Sequence, residues 1–479
     1  MAPGAEPRFR APSGVLEHRR PHVRGLAGRR VPARLRLAAH AVLTPGAMFP
    51  PGPFAIPRLP APVDRVWRIP GSKSITNRAL VLAALAEGTT RLEGVLESDD
   101  TRYMQEALLE LGVAVRKLSS TTLEIEGGRR RLQAPKKPLF VGNSGTTVRF
   151  LTALACLVDG PVTLVGDEAM AKRPIADLVA GLTQLGVKID CPSGCPPLTV
   201  YGGKLPGGRL SMRGDRSSQY FSALLLAGAL SEGETELTIE GNLVSRPYVE
   251  ITRRMVQDFG GKIELTDTGF WWRGGGTYAA RGYGIEPDAS SASYAFAFAA
   301  ATGSRIRVPG LGPGALQGDY AFVDLLEQMG ATVERSAAHT TVQGGAPLSG
   351  IDVDMFHISD TVMTLAAIAP LASGTTSIRN VANIRLKETD RLAATVAELQ
   401  RLGQEVTAGA DFLRIEPRAL RPAIVQSYKD HRMAMSFAIL GTARAGVSIE
   451  DPACVAKTYP DFWADLADIC GTAGDAPAA

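Results

Sequence analysis

The sequence contains few cysteines and few aromatic residues. Its 479 residues include five cysteines, and only 6% are aromatic. The cysteines are odd in number and scattered along the chain, which is typical of a protein kept in a reducing compartment. Cys191 and Cys195 have no second Cys or His pair at zinc-site spacing. We therefore expect neither a disulfide framework nor a metal site.

Long apolar runs and the common nucleotide-binding motifs are also missing. The longest apolar candidate, near residues 360–372, is interrupted by Thr364 and Pro370, so no membrane span is expected. Lys73 has no P-loop glycine pattern before it. The glycine-rich stretch at 310–314 contains a proline and lacks the dinucleotide-binding spacing. These absences argue against a membrane protein, a P-loop enzyme and a Rossmann-type enzyme.

Positive charge is concentrated at the N-terminus. Residues 1–47 hold nine Arg, no Lys and two acids, a net of +7, so the remaining 432 residues carry −3 of the overall +4. The basic pI therefore does not indicate a nucleic-acid-binding body. We expect residues 1–60 to be a disordered Pro/Arg/Ala-rich extension. Ser13 is the only serine before Met48, which weakens a targeting role, so we favour Met48 as a possible true start and a cytoplasmic location.

Two series of glycines repeat along the rest of the chain at intervals of 68–74 residues. Each glycine of the first series follows an apolar, Ala/Leu-rich run, and each glycine of the second series follows an amphipathic run. The first series is Gly88, Gly160, Gly233, Gly303, Gly374 and Gly446, and the second is Gly112, Gly186, Gly260, Gly330, Gly403 and Gly471.

Short strand-like segments lie between these predicted helices. They are 91–95, 122–125, 162–165, 198–201, 236–240, 304–308, 377–380 and 413–415. The pattern predicts an α/β fold of six units from about residue 64, each running strand, helix, strand, helix, strand, strand. Solenoid repeats are usually shorter, roughly 20–50 residues. We therefore expect two domains of three units, with the apolar helices inside and the sheets outside.

The predicted apolar helices begin with polar residues. At 70–80, Lys73, Ser74 and Arg78 lie in the first two turns of a helix whose free backbone N–H groups already favour an anion. The other five helices open at the same phase of the repeat with Asn143 to Thr146, Ser217 to Gln219, Asp288 to Ser291, Asp360-Thr361 and Asp430 to Arg432. Each start alone is an ordinary cap, but together they indicate a shared anionic small-molecule ligand between two domains.

Several of these segments, taken together, resemble the EPSP synthase family. The matching motifs occur in the family's order across about residues 64–470 and are 70–78, 142–149, 173–175, 217–219, 244–248, 288–294, 387–391, 430–435 and 456–458. The resemblance implies a two-domain inside-out α/β barrel, with one domain at 61–71 plus 287–479 and the other at 72–286. It also implies transfer of the enolpyruvyl group of phosphoenolpyruvate to the 5-hydroxyl of shikimate 3-phosphate, with release of phosphate, in the shikimate pathway.

The resemblance also assigns residues to the two substrates. For shikimate 3-phosphate it implies Lys73, Ser74, Arg78, Ser217, Ser218, Gln219, Ser245, Asp360, Asn383 and Lys387. For phosphoenolpyruvate it implies Lys73, Asn143, Gly145, Arg173, Gln219, Arg391, Arg432 and Lys457. Lysine and arginine suit two polyanions that repel each other. The partners are thus small molecules rather than nucleic acid or membrane, and we expect a monomer.

Two carboxylates are the expected acid–base groups. Asp360 resembles the family's proton acceptor at the sugar hydroxyl, and Glu388 resembles the group that exchanges a proton with the methylene carbon. Lys73 would touch both anions and take part in the chemistry. Neither a metal nor an organic cofactor is required.

Two alternatives differ from this interpretation. The related enolpyruvyl transferase that acts on a UDP-sugar commonly carries a reactive Cys five residues before the Arg-Pro that corresponds to Arg173 and Pro174, where this chain has Glu168. A catalytically inactive anion-binding protein on the same fold would be expected to lack Asp360, Glu388 or Lys73, and all three are present. The shikimate reaction remains the favoured interpretation.

Because Gly145 is retained, we predict inhibition by glyphosate. Phe150, where many relatives have proline or leucine, is a local departure that bears on the degree of sensitivity. The measurement is phosphate release at increasing glyphosate, and unchanged turnover at millimolar inhibitor would contradict the prediction.

Overall fold

The computed structural model describes residues 52–345 and 347–471. Helices and strands alternate throughout this part of the chain. The α-helices are α1 Lys73–Leu85, α2 Asp99–Glu110, α3 Gly145–Ala155, α4 Ala176–Gln184, α5 Ser218–Gly228, α6 Arg246–Asp258, α7 Ala289–Thr302, α8 Phe322–Gln328, α9 Val362–Ile368, α10 Arg391–Arg401, α11 His431–Ala443 and α12 Phe462–Cys470.

The strands are short. They are β1 Phe54–Ala55, β2 Asp64–Val66, β3 Ala86–Glu93, β4 Ala114–Ser119, β5 Thr122–Gly127, β6 Leu139–Phe140, β7 Pro161–Val165, β8 Lys188–Asp190, β9 Leu198–Tyr201, β10 Gly208–Arg213, β11 Thr235–Glu240, β12 Glu264–Leu265, β13 Gly269–Trp272, β14 Tyr278–Ala279, β15 Gly282–Gly284, β16 Arg305–Pro309, β17 Thr332–Arg335, β18 His339–Gln343, β19 Asp352–Asp354, β20 Thr376–Arg379, β21 Glu405–Ala408, β22 Leu413–Glu416, β23 Ala423–Val425 and β24 Val447–Ile449.

Five of the six small sheets repeat one topology, and the sixth, β1-β24-β23, has three strands. In the sheet β10-β11-β13-β12, the first two strands are parallel and the hairpin β12-β13 returns antiparallel to β11. The sheets β6-β7-β9-β8 and β19-β20-β22-β21 follow the same order. A parallel pair of strands needs a crossover helix between them, whereas an antiparallel pair needs only a turn. This strand order therefore agrees with the predicted run of strand, helix, strand, helix, strand, strand.

The two helices of each unit differ in burial. The odd-numbered helices are buried almost all round; in α1 every residue from Ile75 to Leu85 is buried. The even-numbered helices bury one stripe, and the glycine after each has a positive φ, between 70° and 104°. Glycine adopts that left-handed conformation without the strain of a Cβ, so it ends each helix. The second glycine series therefore marks the helix ends as predicted.

The structure differs from the predicted repeat in two places. In the sixth sheet, β1 pairs with β24 where the other sheets have a hairpin. The other difference is an exchange of strands between units. β2, the first strand of the expected first unit, pairs in parallel with β16 of the fourth unit. In return, β14 and β15 pair in parallel with β3 of the first unit. The two crossing segments meet at a β-bridge between Gly71 and Pro287.

Buried apolar residues form two core clusters. One runs from Ile75 to Ile285, and the other combines residues from Ile56 to Ile69 with residues from Ala289 to Cys470. The chain passes between the clusters near the crossing of Gly71 and Pro287. Each cluster contains the odd-numbered helices of three units, with the sheets around them.

Residues 52–60 differ from the expected disordered extension. Phe54 and Ala55 form β1, which pairs antiparallel with β24 and completes the three-stranded sixth sheet. Ile56 and Leu59 are buried in the second core cluster. The extension was predicted from composition, and these apolar residues find a nonlocal partner that composition does not reveal. Residues 1–51 lie outside the described residues. No helix in the described ranges is long and apolar enough to cross a bilayer.

Gly71→Ala is expected to lower the melting temperature. A Cβ at Gly71 would lie 1.8 Å from the carbonyl oxygen of Gly94, so the crossing backbone would have to move. Such overpacking costs about 1–3 kcal/mol. Gly282→Ala is the control, because nothing lies within 4 Å of the Cβ it adds. Equal melting temperatures for the two variants in thermal unfolding would contradict this reading of the crossing.

Candidate active site

A cavity of about 260 Å³ lies where helix starts from the two core clusters approach each other. Fifteen of the seventeen residues predicted from the sequence line it. They are Lys73, Ser74, Arg78, Gly145, Arg173, Ser217, Ser218, Gln219, Ser245, Asp360, Asn383, Lys387, Glu388, Arg391 and Arg432. Asn143 and Lys457 lie at its edge, where Lys457 Nζ donates to the backbone carbonyl of Asn143 at 3.0 Å.

The helix starts are fixed by caps. Ser72 Oγ accepts from the backbone N–H of Ile75 at the start of α1. Ser144 and Ser217 cap α3 and α5 in the same way. Because the caps satisfy some of the free N–H groups and hold the first turn, the neighbouring side chains face one cavity. Lys73 Nζ lies 3.3 Å from a carboxylate oxygen of the buried Asp100, which holds its ammonium group there.

Arg391 is a buried cation of the site, and three carboxylates surround it. Its guanidinium Nη2 donates to Glu388 Oε2 at 2.6 Å, and Nη1 donates to Asp360 Oδ1 at 3.2 Å. Nε donates to Asp430 Oδ2 at 2.7 Å. The Arg391 side chain is 2% exposed. A guanidinium so removed from water needs such partners, and its rigid fork positions the two predicted acid–base groups relative to each other.

Asp360 is held by three cations. Besides Arg391, Arg432 Nη2 lies 2.8 Å from Asp360 Oδ2, and Lys387 Nζ lies 3.4 Å from Oδ1. Burial raises the pKa of Asp360, but the charges of Arg432, Lys387 and Arg391 together outweigh burial and lower it below its ordinary value. The carboxylate is therefore ionised when no anion competes for those cations.

Glu388 has a similar environment. Lys457 Nζ lies 3.2 Å and Arg173 Nη1 lies 3.9 Å from Glu388 Oε1. Burial raises the pKa of Glu388, but Arg391, Lys457 and Arg173 together hold it well below its usual range. Lys457 and Glu388 belong to the second core region and Arg173 to the first, so this carboxylate joins the two sides of the cavity.

Arg173 depends on the absence of a side chain at Gly145. Its Nη1 donates to the Asn143 backbone carbonyl at 3.1 Å and to Asn143 Oδ1 at 3.2 Å. A Cβ on Gly145 would lie 2.6 Å from Arg173 Nη2. Buried Nε of Arg173 has no hydrogen-bond partner. The start of α3 thus leaves room for the Arg173 guanidinium, whose Nε–H makes no hydrogen bond within the described part of the chain.

Arg78 lines the cavity, but it also makes several hydrogen bonds within the protein. Its Nε donates to Thr252 Oγ1 at 2.7 Å, and Nη2 donates to Ser222 Oγ and to the Tyr248 carbonyl, each at 3.0 Å. Nη1 donates to the Ser74 carbonyl at 2.7 Å. Burial lowers the pKa of Arg78 to about 10. It reaches the cavity wall, but most of its donors join α1 to α5 and α6.

Seven further polar residues of the cavity wall were not predicted as site residues from the sequence. They are Asp100, Thr146, Arg149, Asp177, Arg216, Tyr220 and Tyr248. Arg149 lies within the motif 142–149, so its position in the repeat was available as a signal; its Nη1 donates to Gln219 Oε1. Tyr248 donates to the buried Asp319 at 2.8 Å, and burial together with Asp360 raises the pKa of Asp319 to about 6. Nothing local in the sequence indicates that contact.

His431 is buried beside the same charges, and neither ring nitrogen has a hydrogen-bond partner. Burial, followed by the charges of Lys73 and Arg432, lowers the pKa of His431 well below its usual value. The imidazole is therefore neutral. In the described part of the chain, no group of three or more His, Cys, Asp and Glu residues is arranged to hold a metal ion.

Comparisons with known proteins agree over most of the chain. The sequence profile of the family described as EPSP synthase (3-phosphoshikimate 1-carboxyvinyltransferase) matches residues 58–466. A Trichormus variabilis protein of that enzyme name is 45% identical over 414 residues, covering 86% of this chain and 97% of the relative. A Pectobacterium carotovorum relative with the same name is 46% identical over 415 residues, covering 85% and 96%.

The fold is similar to that of a solved protein. The EPSP synthase structure from Acinetobacter baumannii aligns with a TM-score of 0.75 at 29% identity, covering 87% of this chain and 98% of that one. The fold is therefore that of a carboxyvinyltransferase. More narrowly, the chain belongs to the EPSP synthase family.

Arg391→Met is expected to destabilise the protein by about 3–5 kcal/mol at pH 7, because three carboxylates lose their shared cation. Glu388 and Asp360 have lowered pKa values in the folded state, so their contribution is present above the unfolded pKa and is lost as pH falls. The difference between variant and wild type should therefore begin to shrink only as pH falls below about 4, the ordinary pKa range of these carboxyls. Thermal unfolding at several pH values measures it.

Arg379→Met is the control, since that arginine pairs with Asp352 at the exposed surface. A pH-independent loss of stability in Arg391→Met, or a loss no larger than in the control, would contradict the charge network.

Proposed function

We propose that the cavity binds phosphoenolpyruvate and shikimate 3-phosphate side by side and transfers the enolpyruvyl group to the sugar 5-hydroxyl. The observation that carries this proposal is the pairing of two carboxylates, Asp360 and Glu388, through one buried guanidinium, with further cations on every side. Two polyanionic substrates need such cations, because their mutual repulsion in a partly desolvated site would otherwise prevent their approach.

The proposed addition step uses both carboxylates. Glu388 takes up a proton from solvent when the bound substrates occupy its cations. Asp360 then accepts the proton of the 5-hydroxyl while that oxygen bonds to the second carbon of phosphoenolpyruvate, and Glu388 gives its proton to the methylene carbon, which becomes a methyl group. In the elimination step Glu388 takes a proton back from the methyl group, the bond between the second carbon and the phosphate oxygen breaks, and the phosphate leaves with the proton held by Asp360. Lys73, with its ammonium group at the wall between the two sides, stabilises the departing phosphate.

The pKa values of Asp360 and Glu388 depend on whether the substrates are bound. Asp360 and Glu388 have lowered pKa values because nearby cations favour their charged forms. Substrate phosphates and carboxylates compete for the same cations, so their arrival weakens that effect and raises both pKa values. Each carboxylate then becomes a better proton carrier only when the substrates are present.

The remaining assignments to the two substrates are those that the family resemblance implies. The phosphoenolpyruvate side comprises Asn143, Gly145, Arg173, Arg391, Arg432 and Lys457, and the shikimate 3-phosphate side comprises Ser74, Arg78, Ser217, Ser218, Ser245, Asn383 and Lys387, with Lys73 and Gln219 shared. The two core clusters correspond to the proposed domains 61–71 plus 287–479 and 72–286. A monomeric cytoplasmic enzyme belongs to the same proposal, since one chain supplies every assigned residue and the relatives are biosynthetic enzymes.

Asp360→Asn is expected to lower kcat for phosphate release by about 10²- to 10⁴-fold, because it removes the proton acceptor but keeps the shape. The assay measures phosphate from phosphoenolpyruvate with and without shikimate 3-phosphate. Asp352→Asn, on the exposed surface, is the matched control and should behave as wild type.

Two outcomes would contradict the proposal. Phosphate release by the wild type that did not depend on shikimate 3-phosphate would contradict the reaction. Full activity of Asp360→Asn would contradict the role of that carboxylate. Binding of both substrates without turnover would instead support an inactive anion-binding protein.

A further inference from the structure

The turn before α11 has an unfavourable backbone. The N–H of Asp430 donates to the carbonyl of Ser427 at 2.9 Å and closes a four-residue turn. Its two central residues, Tyr428 and Lys429, each have a φ of 55°. Consecutive positive φ values are the signature of a type I′ turn, which strongly favours glycine, asparagine or aspartate at both positions. This chain places neither glycine nor asparagine there, so the turn is strained.

A buried carboxylate anchors this turn. Glu398, on α10, has a side chain that is 0% exposed. Its Oε1 accepts from the hydroxyl of Tyr428 at 2.7 Å, and Oε2 accepts from the backbone N–H of Gln426 at 3.0 Å. Its third donor is Arg401 Nε at 2.9 Å, from a side chain 47% exposed. The glutamate thus contacts the chain on the N-terminal side of the turn and within it.

The turn presents Asp430 to the active site. Asp430 Oδ1 accepts from the backbone N–H of Arg432 at 2.9 Å and caps α11, and Oδ2 accepts from Arg391 Nε at 2.7 Å. Arg391 in turn holds Asp360 and Glu388. Glu398 and Arg391 lie on the same helix, α10. Helix α10 therefore supplies both Arg391 and Glu398. Glu398 fixes the turn that carries Asp430, and Asp430 is an ion-pair partner of Arg391.

We propose that Glu398 is a positioning residue for the phosphoenolpyruvate side of the site. By holding Tyr428 and Gln426, it keeps the strained turn in the one conformation in which Asp430 orients Arg391 and begins α11 at Arg432. This inference rests on the proposed function, because it assigns Arg391 and Arg432 to phosphoenolpyruvate. The effect is transmitted through Asp430, and Glu398 itself touches no substrate.

Glu398→Gln tests the inference because the amide keeps the shape but replaces an acceptor oxygen with a donor. We expect kcat/KM for phosphoenolpyruvate to fall about ten- to hundredfold, the range for a misplacement of about 1 Å in a site. KM for shikimate 3-phosphate should change less than the value for phosphoenolpyruvate. Arg401→Gln is the matched control: it removes the exposed partner of Glu398 but leaves both contacts to the turn, so its kinetics should remain those of the wild type.

A second substitution separates positioning from general stability. Lys429→Gly removes the strain at one of the two positions with positive φ, so the turn depends less on its anchor. The double variant Glu398→Gln with Lys429→Gly should therefore recover part of the lost kcat/KM for phosphoenolpyruvate, while Lys429→Gly alone keeps wild-type kinetics. If Glu398→Gln does not fold, Tyr428→Phe takes its place, because it removes only one hydroxyl from a side chain at the surface.

Each result is decisive. A KM that rises more for phosphoenolpyruvate than for shikimate 3-phosphate, and that Lys429→Gly lowers again, supports the inference. Wild-type kinetics in the anchor variant, equal rises in the two KM values, or no reversal by glycine overturns it. If the wild type itself shows no phosphate release that depends on shikimate 3-phosphate, the proposed function fails instead, and the two failures are thereby distinguished.

Discussion

The buried guanidinium of Arg391 is the contact on which the site depends. It forms ion pairs with Asp360, Glu388 and Asp430, which come from three different segments of the second core region. Each of these charges would be costly to bury alone, so the four groups stabilise one another only in this geometry. The same geometry places two proton carriers at a fixed separation and leaves the outer cations Arg173, Arg432, Lys387 and Lys457 to face a ligand.

The fold explains why so many charges meet at one place. The odd-numbered helices are apolar and buried along most of their length, so their polar residues are concentrated at the capped start. Repetition brings several such starts to the same end of each core. The exchange of β2 and β15 between the first and fourth units then joins the two cores through a crossing at Gly71 and Pro287, one residue from the cap of α1.

Local signals in the sequence predicted much of this arrangement. Every strand-like segment named from the sequence overlaps a strand, because alternating apolar residues and a following glycine are properties of a short stretch. The strand exchange and the pairing of Phe54 with Ile449 were not predictable, since they join residues hundreds of positions apart. Likewise, the motif around Arg78 indicated a cation near an anion, but not that Thr252, Ser222 and two backbone carbonyls accept hydrogen bonds from it.

Deuterium incorporation during turnover tests the central claim most directly, namely that the methylene carbon is protonated and deprotonated within the site. In D₂O, addition would convert the methylene group to a methyl group carrying one deuterium from an exchanged carboxyl such as that of Glu388. Rotation of that methyl group would let elimination remove a hydrogen instead. The account predicts deuterium on the methylene carbon of the product, measured by mass spectrometry. A product formed at full rate without deuterium at that carbon would contradict it.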